Sequence, residues 1–162
     1  MISHVAALPS PCPSGDSAGA ATAKGNIGVA LFKSGQYSDA EPYYADGLED
    51  NLTTFGADHP STFISQANMA LLIARAKWTD KVAGAETSMA QAAHNGFAKH
   101  LGGSHPLTHF GSATLGAVLR AEGKHIEARP FLQQAHDGVA GKEAGKMVME
   151  LFQVDFKAVL GQ

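Results

Sequence analysis

The chain has 162 residues, 44% apolar and only 17% charged, with a formal charge of −3. That length and apolar content suit one domain with its own core. The acidic balance lacks the basic field on which nucleic-acid binding depends, and no apolar run approaches the roughly 20 residues of a membrane-spanning helix.

The first eight residues lack the basic start and long apolar run of a signal peptide, so no targeting segment is expected. Residues 9–20 read PSPCPSGDSAGA. Pro, Ser and Gly at that density resist helix and strand, which predicts an N-terminal arm over residues 1–20. Cys12 lies in this arm and is the single cysteine, so no intrachain disulfide is possible. Its setting suggests neither a metal nor a catalytic role, and the lack of disulfides favours a reducing, intracellular compartment.

From residue 21 the pattern is helical and comes in pairs. The first pair is predicted over 21–34 and 38–55. Ala40, Tyr43, Tyr44, Gly47 and Leu48 fall on one helix face. The second pair is predicted over 60–76 and 79–99, and the third over 106–121 and 126–139. Gly35 and Gly123 suit the ends of first helices, where a left-handed residue is needed. Pro60 and Pro106 suit a first helical turn, and Pro42 and Pro130 are expected in first turns too. A last helix is expected over about 142–160, with one polar stripe and a broad apolar face, as a capping element covering 141–162. No alternating strand pattern of useful length occurs.

The pairs are internal repeats. GQYSDAEPYYADG, starting at Gly35, aligns with GKHIEARPFLQQA, starting at Gly123. Ala40 then matches Ala128, Pro42 matches Pro130, and Tyr44 matches Leu132. FGADHP ends at Pro60 and LGGSHP ends at Pro106. Small residues recur where helices would press together: Gly28, then Ala67 and Ala70, then Ala113 and Gly116. The middle unit is longer by four residues, with most of the excess expected between Ala70 and Ala85, around Trp78.

These residues resemble the tetratricopeptide repeat, of the 42-residue kind found in kinesin light chains. The resemblance rests on Gly35-Gln36-Tyr37, Ala40-Glu41-Pro42 and Phe55-Gly56 with His59-Pro60 in the first unit. Leu101-Gly102 with His105-Pro106 carries it in the second, and Gly123-Lys124-His125 with Ala128 and Pro130 in the third. The middle turn departs from the pattern, since the region of Ala76 to Trp78 replaces a small Gly. The likeness covers residues 21–140. It implies an all-α fold: a right-handed α-solenoid of three helix-turn-helix units plus the terminal cap.

The resemblance also implies a use. First helices line an inner groove, and matching positions form rows along it. Asn26 and Asn68 are 42 residues apart, and Thr114 completes their row. Lys33 and Arg75 share the same spacing, with Arg120 one place short of the next equivalent. A carboxamide can donate and accept at once, so it suits the unpaired backbone of an extended peptide. Lys and Arg attract acidic side chains or a terminal carboxylate. Phe32, Ile64, Leu71 and Phe110 would supply apolar anchors. Dipole compensation at helix C-termini is the structural explanation for the same cations.

Other chemistry finds no support. His105 and His109 stand one turn apart, yet His105 is explained by its match to His59, and no acid completes a ligand set. No serine sits on a Gly-x-Ser-x-Gly turn, and no phosphate loop is present. No cofactor, metal or catalytic residue is expected. The expected partner is a protein or peptide. The alternative is an architectural subunit of a larger complex, docked through the arm, the outer face or the last helix.

Overall fold

The computed structural model describes residues 17–76 and 84–139. These form six helices: α1 (Ser17–Lys33), α2 (Tyr37–Phe55), α3 (Pro60–Ala76), α4 (Ala85–Leu101), α5 (Pro106–Ala121) and α6 (His125–Val139). No strand occurs among the described residues. Most of the arm, Trp78 and the expected last helix lie outside them.

Each helix packs on the next, and α3 also packs on α5 and touches α1. The second helices meet more thinly, as where His94 of α4 sets its ring edge-on to Phe131 of α6 at 5.3 Å. The stack is therefore tighter on the side of the first helices. This is an all-α solenoid of three hairpins, as the repeats predict.

The loop signatures have physical causes. Pro60 and Pro106 open α3 and α5, where a missing amide costs nothing. The histidine before each proline caps the helix. His59 Nδ1 accepts from the Ser61 amide at 3.1 Å, and His105 Nδ1 accepts from the Leu107 amide at 3.1 Å. Two residues past each proline a threonine closes the loop: Thr62 Oγ1 donates to the Gly56 carbonyl and Thr108 Oγ1 to the Gly102 carbonyl, both at 2.7 Å. At the other turns Gly35 and Gly123 adopt φ of 78° and 80°, open to glycine without a Cβ penalty. The Gln36 amide then reaches back to the Leu31 carbonyl, and the Lys124 amide to the Leu119 carbonyl, closing both helix ends.

Three expectations are corrected in detail. First, α1 begins at Ser17, so the last four residues assigned to the arm are helical. Ala18 and Ala20 are strong helix formers and outweigh the roughly 1 kcal/mol cost of Gly19. Second, Pro42 and Pro130 lie inside α2 and α6, each at the sixth residue. Both are exposed, so water can serve the carbonyl one turn back. Third, Ala85 is not the counterpart of Ala40: it is the first residue of α4, after Gly84 at φ 84°. Burial sets the register instead. Ala90 is fully buried, like Tyr44 and Leu132 at the same depth of their hairpins. With Ala90 in that role, all four extra residues fall between α3 and α4.

The core runs along the crossings of these hairpins. Ala40, Ala70, Ala90, Ala113, Ala128 and Ala135 are wholly buried, and Leu72, Leu115, Val118 and Leu132 fill the space between them. A satellite cluster holds Phe63, Ala67, Ala93 and Phe97. Alanine allows the close approach, and the larger side chains supply most of the burial, at about 25 cal/mol per Å².

Candidate functional site

Several predicted residues lie on the first helices. Asn26 is exposed on α1 and Asn68 half-buried on α3. Lys33, Arg75 and Arg120 close the last turns of α1, α3 and α5. Among the described residues, no side-chain hydrogen bond or ion pair engages any of these five. Ile64 and Phe110 are half-buried, each packed partly against the core.

Phe32, Leu71 and Thr114 lie elsewhere. Phe32 and Leu71 are core residues, 7% and 3% exposed. Phe32 instead packs its ring against Tyr37 across the α1–α2 turn, with centroids 5.4 Å apart. Thr114 is fully buried, and its hydroxyl donates to the Phe110 carbonyl at 3.1 Å, within its own helix. The carboxamide row therefore does not extend as an open row onto α5.

Sequence reasoning missed Thr22. It stands 42 residues before Ile64, and Phe110 stands 46 after Ile64, so the three form a row one turn ahead of the asparagines. The repeat spacing alone would have found it.

Several ionic groups elsewhere are engaged with one another. Lys24 Nζ pairs with Asp50 at 2.6 Å, joining α1 to α2. That hydrogen bond holds the ammonium above its ordinary range. Asp58, in the α2–α3 loop, meets Lys99 Nζ at 2.7 Å and His100 Nε2 at 2.8 Å. Their hydrogen bonds hold its carboxyl below the usual value. Glu122 bonds to Thr87 and pairs with Lys124 at 2.8 Å, tying the start of α4 to the end of α5.

The histidines do not assemble. His105 Nδ1 is committed to its cap, and His109 is buried with its ring over Gly138. His94 Nδ1 lies 3.2 Å from Ser112 Oγ. Ser112 Oγ also reaches the Thr108 carbonyl at 2.9 Å and Gln134 Oε1 at 3.1 Å. Among the described residues, no three His, Cys, Asp or Glu side chains form a group able to hold a metal. No described helix is long and apolar enough to cross a membrane.

A tetratricopeptide-repeat family model matches residues 20–61. That span is one repeat unit, from the first residues of α1 through the His-Pro loop. No curated protein matches the chain. Three hairpins are built on one plan, and the first of them matches a tetratricopeptide repeat, a kind of helical repeat that generally mediates contacts between proteins.

Proposed function

We propose that the chain is a non-catalytic interaction module that holds an extended, acidic segment of a partner protein along α1, α3 and α5. The observation that carries this reading is the set of unengaged polar groups at repeat-related positions. Asn26, Asn68, Lys33 and Arg75 have no partner among the described residues, whereas Lys24, Lys99 and Lys124 are paired and the exposed Arg129 of α6 is not.

In this reading Asn26 and Asn68 bond to the partner's backbone, donating and accepting at once. Lys33 and Arg75 meet its carboxylates, with Arg120 beyond them. Thr22, Ile64 and Phe110 form the adjoining row. Leu71 and Thr114, being buried, support the surface from beneath.

Fluorescence anisotropy with a panel of short peptides tests it. The panel alternates acidic and aliphatic residues, and a second panel replaces the acids with lysine. The acidic panel binds and the basic panel does not. Each carboxamide contact is worth about 1 kcal/mol net, so the double variant Asn26→Ala with Asn68→Ala weakens binding by on the order of tenfold or more. Lys33→Glu with Arg75→Glu weakens it further. No binding by any acidic peptide, or binding unchanged in both variants, contradicts the proposal.

A further inference from the structure

The first helices of the first two hairpins carry groups at one shared spacing. On α1 these are Thr22, Asn26 and Lys33, and on α3 Ile64, Asn68 and Arg75. In each helix the carboxamide comes 4 residues after the first group, and the cation 7 residues after the carboxamide. Steps of that size keep all three on one helix face. Asn26 and Lys33 are exposed, and Ile64, Asn68 and Arg75 are half-buried. The helical rise sets Asn68 about 6 Å from the level of Ile64 and about 10 Å from that of Arg75. A chain bonded to Asn68 therefore has an aliphatic side chain on one flank and a cation on the other.

The series ends at α5. Phe110 keeps the first place, but Thr114, in the carboxamide place, is buried. The cation place, 46 residues after Arg75, is Ala121. Arg120 stands one residue earlier and so about 100° round the helix. The carboxamide and the cation are thus presented together twice, by α1 and α3, which touch.

The step between those two helices selects a backbone. Packed helices lie about 8–10 Å apart. In a β-strand one face recurs every second residue, at about 6.6 Å and then about 13 Å, and neither fits that step. A polyproline II chain has about 3 residues per turn and rises about 3.1 Å per residue, so one face recurs at about 9 Å, which fits. This backbone makes no internal hydrogen bonds, so its free amides and carbonyls are open to Asn26 and Asn68. An α-helical partner satisfies its own backbone and leaves the carboxamides little to bond.

We propose that the partner segment crosses α1 and α3 as a polyproline II chain with a period of three, a proposal that rests on the peptide reading above. In each period one side chain is acidic and meets Lys33 or Arg75. A second lies on the other flank and is aliphatic where it meets Ile64. The third points to water and accepts proline, whose fixed φ presets this backbone. Two acids, each a third residue from the other, form the centre of the recognised sequence.

Fluorescence anisotropy with peptides of one composition, equal parts glutamate, leucine and proline, tests the period. One series repeats Glu-Leu-Pro. The other alternates glutamate with leucine and gathers the prolines at one end, so the charge is the same. The repeat binds at least about tenfold tighter, the equivalent of one charge-assisted contact kept rather than lost. In the double variant Lys33→Glu with Arg75→Glu, helix content by circular dichroism is unchanged and the glutamate repeat no longer binds. Lys-Leu-Pro repeats bind that variant instead, and keep the same advantage over their rearranged composition. Equal binding of both glutamate series, or tighter binding of the alternating one, overturns the period and leaves the peptide reading standing. Loss of the glutamate repeat without gain of the lysine repeat overturns the pairing of the acids with Lys33 and Arg75. No binding by either glutamate series overturns the peptide reading and the period together.

Discussion

The first and the middle hairpins solve one packing problem in opposite ways. Each hairpin crosses in two layers, one nearer its turn and one farther away. In the first hairpin the large side chain sits near the turn and on the second helix: Tyr44 lies over Gly28, where a Cβ would come within 2.5 Å of the ring. Its far layer is small on both helices, with Gly47 3.5 Å, measured from an added Cβ, from the Ala21 carbonyl. In the middle hairpin the near layer holds Ala70 and Ala90, both wholly buried. The large side chain is in the far layer and on the first helix, where Phe63 covers Gly96. The third hairpin uses both: Leu132 over Gly116, and His109 over Gly138. Each of these large groups is answered by a glycine on the facing helix, although no single position keeps its identity.

The largest expected effect breaks this arrangement at the ring that covers Gly96. Phe63 is 5% exposed and packs edge-on to Phe97 at 5.8 Å. Phe63→Ala costs about 3–5 kcal/mol in urea unfolding. Next comes its partner. Gly96→Ala forces a Cβ into the ring and costs about 1–3 kcal/mol. In the Phe63→Ala background the same change becomes stabilising, by up to about 1 kcal/mol, because only the helix propensity gain remains. A double-mutant cycle that shows additivity instead would mean that the two residues do not share a layer.

The register of the middle hairpin is sharpened by transplanting the outer solution. Ala90→Leu alone overpacks the near layer and costs about 1–3 kcal/mol. Adding Ala70→Gly recovers part of that loss, as the Gly116–Leu132 pair implies. If Ala70→Gly only adds to the damage, Ala90 is not the counterpart of Leu132. A smaller effect follows at the first hairpin's ion pair. Lys24→Met costs about 1 kcal/mol or less, and the loss shrinks in high salt.

The smallest effect is a pH dependence. Burial holds the His94 imidazole below its ordinary value of 6.5. The unfolded chain therefore takes the proton first as pH falls. Stability drops as pH goes below about 6.5 and levels off once the folded value is passed. His94→Asn removes that share of the slope between pH values of about 7.5 and about 5.5 in urea unfolding. A variant as pH-sensitive as the parent would contradict the assignment.

Much of the fold was legible because the repeat prints its mechanics in residue types. His59 and His105 are helix caps, the prolines after them open helices, and Gly35 and Gly123 close them, so boundaries followed from local chemistry. The two inner prolines were misplaced because their tolerance depends on solvent at the carbonyl one turn back, which is a surface property. Ala85 was misaligned because alanine looks the same at a helix start and in a core. The candidate site was legible only as rows. Spacing placed Asn26 with Asn68 and Lys33 with Arg75, but it could not tell that Leu71, Phe32 and Thr114 would be enclosed. Burial depends on neighbours that a single helix does not encode.

The central claim is that the side of α1, α3 and α5 receives an extended acidic chain. Amide chemical-shift mapping during titration with the tightest-binding acidic peptide tests it most directly. The account predicts that perturbations concentrate at Thr22, Asn26, Lys33, Ile64, Asn68 and Arg75. Perturbations confined to the outward residues of α2, α4 and α6, with those six unmoved, would contradict it.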